Sequence, residues 1–175
     1  MKSLYEKGLE YALYLLSGQM KTEKQMRDKL KGKAYEEDIV EKIIRQLLEV
    51  KYLDDVNYAQ CYIRANRHRY GSYRLKMSLR QKGVKQSDID LAFLNDEDES
   101  MEAAEAIAEN EIVEKVLEKK IASTTIDWAR MNADFQYKNA TYQKLARFLA
   151  SRGFSADVIK TVLRNRLNEE FVDEF

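Results

Sequence analysis

Proline is missing from all 175 residues and glycine occurs only six times, so the chain has few places where a helix must break. Leu, Lys, Glu, Arg, Ala and Gln, all good helix formers, are abundant, and an all-α fold is expected. A single cysteine, Cys61, excludes an intrachain disulfide and points to a reducing compartment, the cytoplasm. A single histidine, His68, leaves zinc short of ligands, because with Cys61 it supplies only two. On one helix that pair would stand about two turns apart, beyond the reach of a Cys–His nucleophile. The glycines, at Gly8, Gly18, Gly32, Gly71, Gly83 and Gly153, are isolated and form no phosphate-cradling loop. No apolar run approaches a membrane span, and Glu6 and Glu10 interrupt the N-terminal apolar pattern, so neither a membrane segment nor a signal peptide is expected. The expectation is a protein without catalytic residues, cofactor or metal.

What the chain does contain is one spaced pattern, three times over. Counting from Met26, Leu75 and Leu145, each copy has Leu four residues on, a small residue at eight, an apolar or aromatic residue at nine, and branched or aromatic residues at fourteen and eighteen. The copies read Met26, Leu30, Ala34, Tyr35, Val40, Ile44; then Leu75, Leu79, Gly83, Val84, Ile89, Phe93; then Leu145, Leu149, Gly153, Phe154, Ile159, Leu163. Four-residue steps place apolar groups on one helical face, and the small residue suits the left-handed backbone at a helix end. Each copy predicts a helix, a tight turn and a helix.

A further helix precedes each copy, with apolar residues at helical spacing: Leu9, Ala12, Leu13 and Leu16; Tyr58, Ala59, Tyr62 and Ile63; Ala103, Ala104, Ile107 and Ala108. The unit is thus a three-helix module of roughly 45 to 50 residues, within the period range of tandem arrays. Three modules divide the apolar residues among small cores that depend on their neighbours. The predicted organisation is module one over 1–50, module two over 51–95 and module three over 96–175. The second and third copies start 70 residues apart and the first two only 49, which marks an insertion near 114–142. Together these describe three tandem three-helix repeats in an elongated, curved array of undetermined handedness.

The charges cancel over the whole chain, 30 basic against 30 acidic, yet they are segregated along it. From Val56 to Ser87 there is no Asp or Glu, and from Asp88 to Glu114 no Lys or Arg. Local field, and not net charge, would govern association. With Leu75 and Leu79 inward, the helix from about Ser72 to Lys82 turns Tyr73, Lys76, Met77 and Arg80 outward; in the helix before it Cys61, Arg64 and His68 point outward with Arg67 on the flank. Arg64, Arg67, Arg69, Tyr73, Arg74, Lys76, Met77, Arg80, Lys82 and Lys85 are therefore candidates for a partner- or DNA-binding face. A solvated basic face balanced by the acidic stretch is the plainer reading of the same residues.

Asp54 and Asp55 stand before the helix containing Tyr58 and Tyr62. As chemistry, paired carboxylates could hold a divalent cation; as structure, one of them caps that helix. The cap is the stronger reading, because further oxygen ligands are lacking at loop-like spacing.

The run Tyr52-Leu53-Asp54-Asp55 with Tyr58-Ala59 and Tyr62-Ile63-Arg64, then Gly71, Arg74, Leu75, Leu79 and Lys82-Gly83-Val84, and finally Arg152-Gly153-Phe154-Ser155 with Val158-Ile159, resembles the bacterial regulatory protein RecX family. Ala12-Leu13 and Leu15-Leu16-Ser17 fit it as well, and the match runs from about Ala12 to Leu167. The chain departs from the family pattern at Lys51, where glycine is usual, and at Ala34, a turn position held by glycine in the other two modules.

The resemblance implies three tandem three-helix repeats, binding in the groove of the RecA recombinase filament on single-stranded DNA, and restraint of its ATPase and strand-exchange activities, in DNA repair, recombination and the SOS response. Direct contact with DNA is also implied, a membrane is not, and a monomer is expected. The alternative is a DNA-binding module whose helix-turn-helix-like units grip phosphates directly; basic residues at Arg27, Lys29 and Lys31 and at Lys144, Arg147 and Arg152 support it in part, while the acidic stretch would repel phosphate. The array reading has a direct check. Small-angle scattering should give a radius of gyration clearly above about 16 Å, the value for a compact globule of this length, and a result at that value would overturn it.

Overall fold

The computed structural model describes residues 2–96 and 102–169. Helices α1 (Leu4–Gly18), α2 (Glu23–Lys31) and α3 (Glu37–Glu49) come first, followed by α4 (Asp55–Asn66), α5 (Ser72–Gln81) and α6 (Gln86–Asp96). Then come α7 (Glu102–Ala122), a short α8 (Trp128–Ala133), α9 (Phe135–Ser151) and α10 (Ala156–Glu169). Among the described residues there is no strand. The chain forms two compact units: unit 1 comprises Met1–Ala65 and Lys76–Asp98, unit 2 Asn66–Leu75 and Glu99–Phe175. The division falls inside α5, in the middle module.

In unit 1, Ala12, Met26, Leu30, Val40, Ile43, Ile44, Leu47 and Leu53 make a buried cluster. Helix α1 meets it along Gly8 and Ala12, both buried, with Leu9 and Leu16 half-buried beside them. Leu13 is exposed, contrary to the expected stripe, because the closest approach runs along Gly8, where an added methyl would meet Ile43 Cδ1 at 2.7 Å. Unit 2 has a second cluster from α7, α8, α9 and α10, including Val113, Leu117, Met131, Leu145, Leu149, Phe154, Ile159 and Leu163. Burying one such leucine stabilises by about 1.5–3 kcal/mol relative to exposure. The expected inward face at Ala103, Ala104, Ile107 and Ala108 lies outside the described side chains.

The repeated spacing is the signature of one helix ending. In the first copy Tyr35 N–H donates to the Leu30 carbonyl at 3.4 Å and Ala34 N–H to that of Lys31 at 2.9 Å. In the second, Val84 N–H donates to Leu79 at 3.1 Å and Gly83 N–H to Arg80 at 2.9 Å. Leu at four, the small residue at eight and the apolar residue at nine are thus the three positions of a Schellman ending, in which the first and last also touch as hydrophobes. Ala34, Gly83 and Gly153 all have left-handed φ, 60°, 90° and 82°. Lys51 adopts the same backbone at φ 55° after α3, with Tyr52 N–H donating to Leu47 at 2.8 Å. The departures from glycine at Ala34 and Lys51 therefore leave the turn geometry unchanged, at a local cost of about 1–2 kcal/mol each.

Glycine has a second reason at the other two turns, namely close approach. In unit 1, a methyl on Gly83 would lie 2.3–2.9 Å from the Lys24 side chain. Next to that contact Thr22, the fully buried N-cap of α2, accepts from Gln25 N–H at 3.1 Å and donates its hydroxyl to the Lys82 carbonyl at 2.7 Å. Unit 2 repeats the arrangement. Gly71, the residue before α5, donates its N–H to the Arg152 carbonyl at 3.0 Å, and a methyl on Gly153 would meet Arg74 Cβ at 2.5 Å. Thr22 and Gly71 are equivalent, each four residues before its copy begins, and so are Lys82 and Arg152, each seven residues after. One joint is therefore built twice: the start of one module's second helix donates to the end of the next module's second helix. Ala34 is exposed and keeps its methyl.

The extra residues near 114–142 also have a place. Met26 and Leu75 are each the fourth residue of their helix, whereas Leu145 is the eleventh of α9. Helix α9 extends further toward its N-terminus, α7 is 21 residues long where α1 has 15 and α4 has 12, and α8 lies between α7 and α9. Asp134 starts the lengthened α9 by accepting from Gln136 and Tyr137 N–H.

Thr22→Val removes the cap acceptor and the donor to Lys82 together, and should destabilise the protein by about 2–3 kcal/mol. Thr22→Ser keeps the hydroxyl and should lose less than about 1 kcal/mol. Urea midpoints check both, and an isosteric valine without effect would show that the joint is not held by this hydroxyl.

Candidate functional site

Unit 1 carries Arg64, Lys76, Met77, Arg80, Lys82 and Lys85 of the expected face. Helix α5 starts where Gly71 ends the preceding segment, and its four-residue steps through Leu75 and Leu79 leave Met77 and Arg80 exposed. Lys76 is half-buried, not fully outward, with its Nζ 4.8 Å from the centre of the Phe93 ring. Lys82 is similarly placed, 5.3 Å over Tyr62. Arg80 Nε donates to Gln86 Oε1 at 2.7 Å, and Gln86 Nε2 in turn donates to Asp90 Oδ1 at 2.6 Å. Arg80 Nη1 also points to Met77 Sδ at 3.9 Å. Lys85 is exposed and lies 3.7 Å from Glu23. Lys76, Lys82 and Arg80 are therefore held in position by rings and an amide, a state that loses less entropy on binding than a free side chain does.

The acidic counterpart is only partly visible. Asp88 is half-buried and Asp90 exposed on α6, Glu111 and Glu114 are exposed on α7, and Asp96, Glu97, Asp98, Glu99, Glu102 and Glu105 lie outside the described side chains. A groove of about 370 Å³ in unit 1 is lined by Lys24, Asp28, Tyr62, Ser78, Gln81 and Lys82 among others.

Unit 2 carries Arg67, Arg69, Tyr73 and Arg74, and here the structure adds residues that the expected face left out. Three guanidiniums surround Tyr70: Arg74 at 4.5 Å, Arg69 at 5.8 Å and Arg152 at 5.9 Å from the ring centre. Arg152 also lies 4.8 Å from the centre of Phe148, and Lys120 lies 5.2 Å from it. Arg74 Nη1 donates to the Ser151 carbonyl at 2.5 Å, and Arg152 Nη1 to that of Arg69 at 3.3 Å. Tyr73 is 70% exposed. The missed signal was a second carboxylate-free run, Phe135 to Ala156, which supplies Phe148 and Arg152.

Cys61 is exposed and contacts Asn57 Oδ1 at 3.9 Å, and His68 is exposed. Among the described residues no three His, Cys, Asp or Glu side chains gather to hold a metal, and no helix is long and apolar enough to cross a membrane.

Comparison with known proteins places the three modules in order. Residues 9–47 match the family model described as "RecX, first three-helix domain", 54–92 the second three-helix domain and 137–163 the third. The chain belongs to the RecX family. It is similar to Regulatory protein RecX of Clostridium botulinum (strain Eklund 17B / Type B), 35% identical over 94% of this chain and 70% of that one. It is 33% identical to Regulatory protein RecX of Neisseria meningitidis serogroup A, over 93% of this chain and 92% of the relative. The crystal structure of RecX from Lactobacillus salivarius superposes with a TM-score of 0.71 at 27% identity, covering 94% and 96% of the two chains.

The RecX-like run Tyr52-Leu53-Asp54-Asp55 divides its work among three tasks. Leu53 is buried in the first core, and Asp54 caps α4 by accepting from Asn57 N–H at 2.9 Å. Asp55 instead reaches the start of α2, accepting from Glu23 N–H at 2.8 Å. The cap reading thus holds for Asp54, and Asp55 serves a different helix 32 residues away. Tyr52 is exposed.

Burial raises the Asp55 carboxyl above the ordinary aspartate range, with Glu23 and Asp88 adding to the shift and the Glu23 N–H and Lys85 opposing it. A folded-state pKa above the unfolded one means that the native state holds the proton more tightly, so this group's contribution to stability is lost as pH rises through that range. Asp55→Asn keeps an oxygen for the Glu23 N–H without a charge. Its stability relative to the native chain should therefore improve as pH rises from about 4 and then level off. Paired thermal melts across that range check the sign, and a relative stability that declines with rising pH would refute it.

Proposed function

We propose that this RecX-family chain is a non-enzymatic regulator that binds the RecA recombinase filament on single-stranded DNA and restrains its ATPase and strand-exchange activities. The ordered match of all three modules to the three RecX domains carries the reading. The curated relatives bear the name of regulatory proteins, which supports regulation over catalysis. DNA repair and homologous recombination, with the SOS response, are its setting, and the cytoplasm its location.

On this reading the unit 1 face contributes to filament contact through Lys76, Met77 and Arg80. Their charges are anchored by Phe93 and Gln86, and Met77 adds an adaptable apolar contact. Electrostatic attachment of this type speeds encounter and fixes register.

The full chain, added to RecA on single-stranded DNA with ATP, should lower steady-state ATP turnover and suppress strand exchange. An unchanged rate at saturating protein would sink the reading. Lys76→Glu combined with Arg80→Glu should weaken inhibition at least about tenfold at low salt, and the deficit should narrow as salt is raised. If that double variant inhibits as well as the native chain, with helical content unchanged by circular dichroism, the α5 face is not the contact.

A further inference from the structure

A lysine seldom lies inside a protein unless a carboxylate or a carbonyl receives its ammonium. Lys21 is 8% exposed, and among the described residues its side chain makes neither a hydrogen bond nor an ion pair. Glu23, two residues on, is taken by Arg27 at 2.9 Å and Lys85 at 3.7 Å. Lys21 Nζ is not one of the fully enclosed polar atoms that lack a partner, so the stem is buried while the amine keeps access to water.

The position disfavours the charged amine in more than one way. Burial, and after it the like charge of Lys29 on α2, holds the Lys21 amine below the ordinary lysine range. The residue also stands immediately before Thr22, the N-cap of α2, where the helix dipole presents its positive end. A desolvated amine beside another cation gives up its proton more readily and is activated as a nucleophile. This amine belongs to the joint between modules, since the Thr22 hydroxyl next to it donates to the Lys82 carbonyl at 2.7 Å and Glu23 N–H to Asp55 at 2.8 Å.

We propose that Lys21 is an acylation site whose donor is a small acyl phosphate. The uncharged Nζ attacks the carbonyl carbon, a C–N bond forms as the C–O bond to phosphate breaks, inorganic phosphate leaves, and the proton of the amine passes to water. Lys24 and Lys29, exposed on α2, favour the approach of this anionic reagent. The product amide carries no charge, so the modification removes the group that burial and the helix end oppose. Acylation thereby strengthens the start of α2 and alters no charge on the α5 face.

The full chain, treated with acetyl phosphate at about pH 8 and mapped by mass spectrometry, should gain the acetyl group at Lys21 at least about threefold faster than at Lys160, an exposed lysine of α10. In guanidinium chloride the two rates should converge, because the burial is gone. Acetyl-CoA, a bulkier donor, should show a smaller preference for Lys21. Protein made with acetyllysine in place of Lys21 should unfold at a higher urea concentration than the native chain, while acetyllysine in place of Lys160 should leave the midpoint where it was. The first advantage should shrink as pH rises toward the ordinary lysine range. There the folded native chain releases the Lys21 proton before the unfolded chain does, and so gains stability through that window. Lys21 reacting no faster than Lys160 in the folded chain, a preference that survives denaturation, a stronger preference with acetyl-CoA, or a midpoint not raised by acetyllysine in place of Lys21 would each overturn the assignment.

Discussion

The joint between the start of one second helix and the end of the next is the constraint on which the other features depend. Helix ends leave backbone groups unsatisfied, and a small module has few buried side chains with which to compensate. Here one module's unsatisfied end is completed by its neighbour: the Thr22 hydroxyl serves the Lys82 carbonyl, and the Gly71 N–H serves that of Arg152. Such an approach needs a turn without a side chain, which accounts for Gly83 and Gly153. The middle module is shared between the two units: its Asn66–Leu75 segment belongs to unit 2 and the remainder to unit 1.

The charge pattern follows from the same economy of core. Lysine and arginine head groups in this chain sit over aromatic rings: Lys76 over Phe93, Lys82 over Tyr62, and Arg74 over Tyr70. Each such contact holds the cation against the ring face by electrostatic attraction to the ring quadrupole. A cation placed in this manner has a structural partner within the chain, so position on an outward helical face does not by itself separate solvated charge from a binding surface.

The three-helix modules were legible because their determinants are local. Leu79, Gly83 and Val84 lie within a single helix ending, and so does the cap from Asp54 to Asn57, three residues apart. What escaped the sequence was set by distance along the chain. Asp55 serves a partner 32 residues back, and the arginines on Tyr70 come together across 83 residues, from Arg69 to Arg152. Helical periodicity can show which way a side chain faces, but not which other chain segment arrives there. The exposed Leu13 failed for a related reason, since the groove at Gly8 draws α1 closer along a neighbouring stripe.

Only the middle module owns both halves of the joint, the donor at Gly71 and the receiving turn at Gly83. Module three holds a receiving turn at Gly153, but the position equivalent to Thr22 and Gly71 is Thr141, which lies buried within α9 and has no free helix start to offer. Module one has the donor Thr22, but its turn carries the Ala34 methyl, where in the other modules a methyl would meet a neighbour at less than 3 Å. The three modules are thus not interchangeable copies. Duplication of the gene segment for the middle one would lengthen the protein by a compatible part, whereas duplication of either outer one would create a boundary that no existing contact completes.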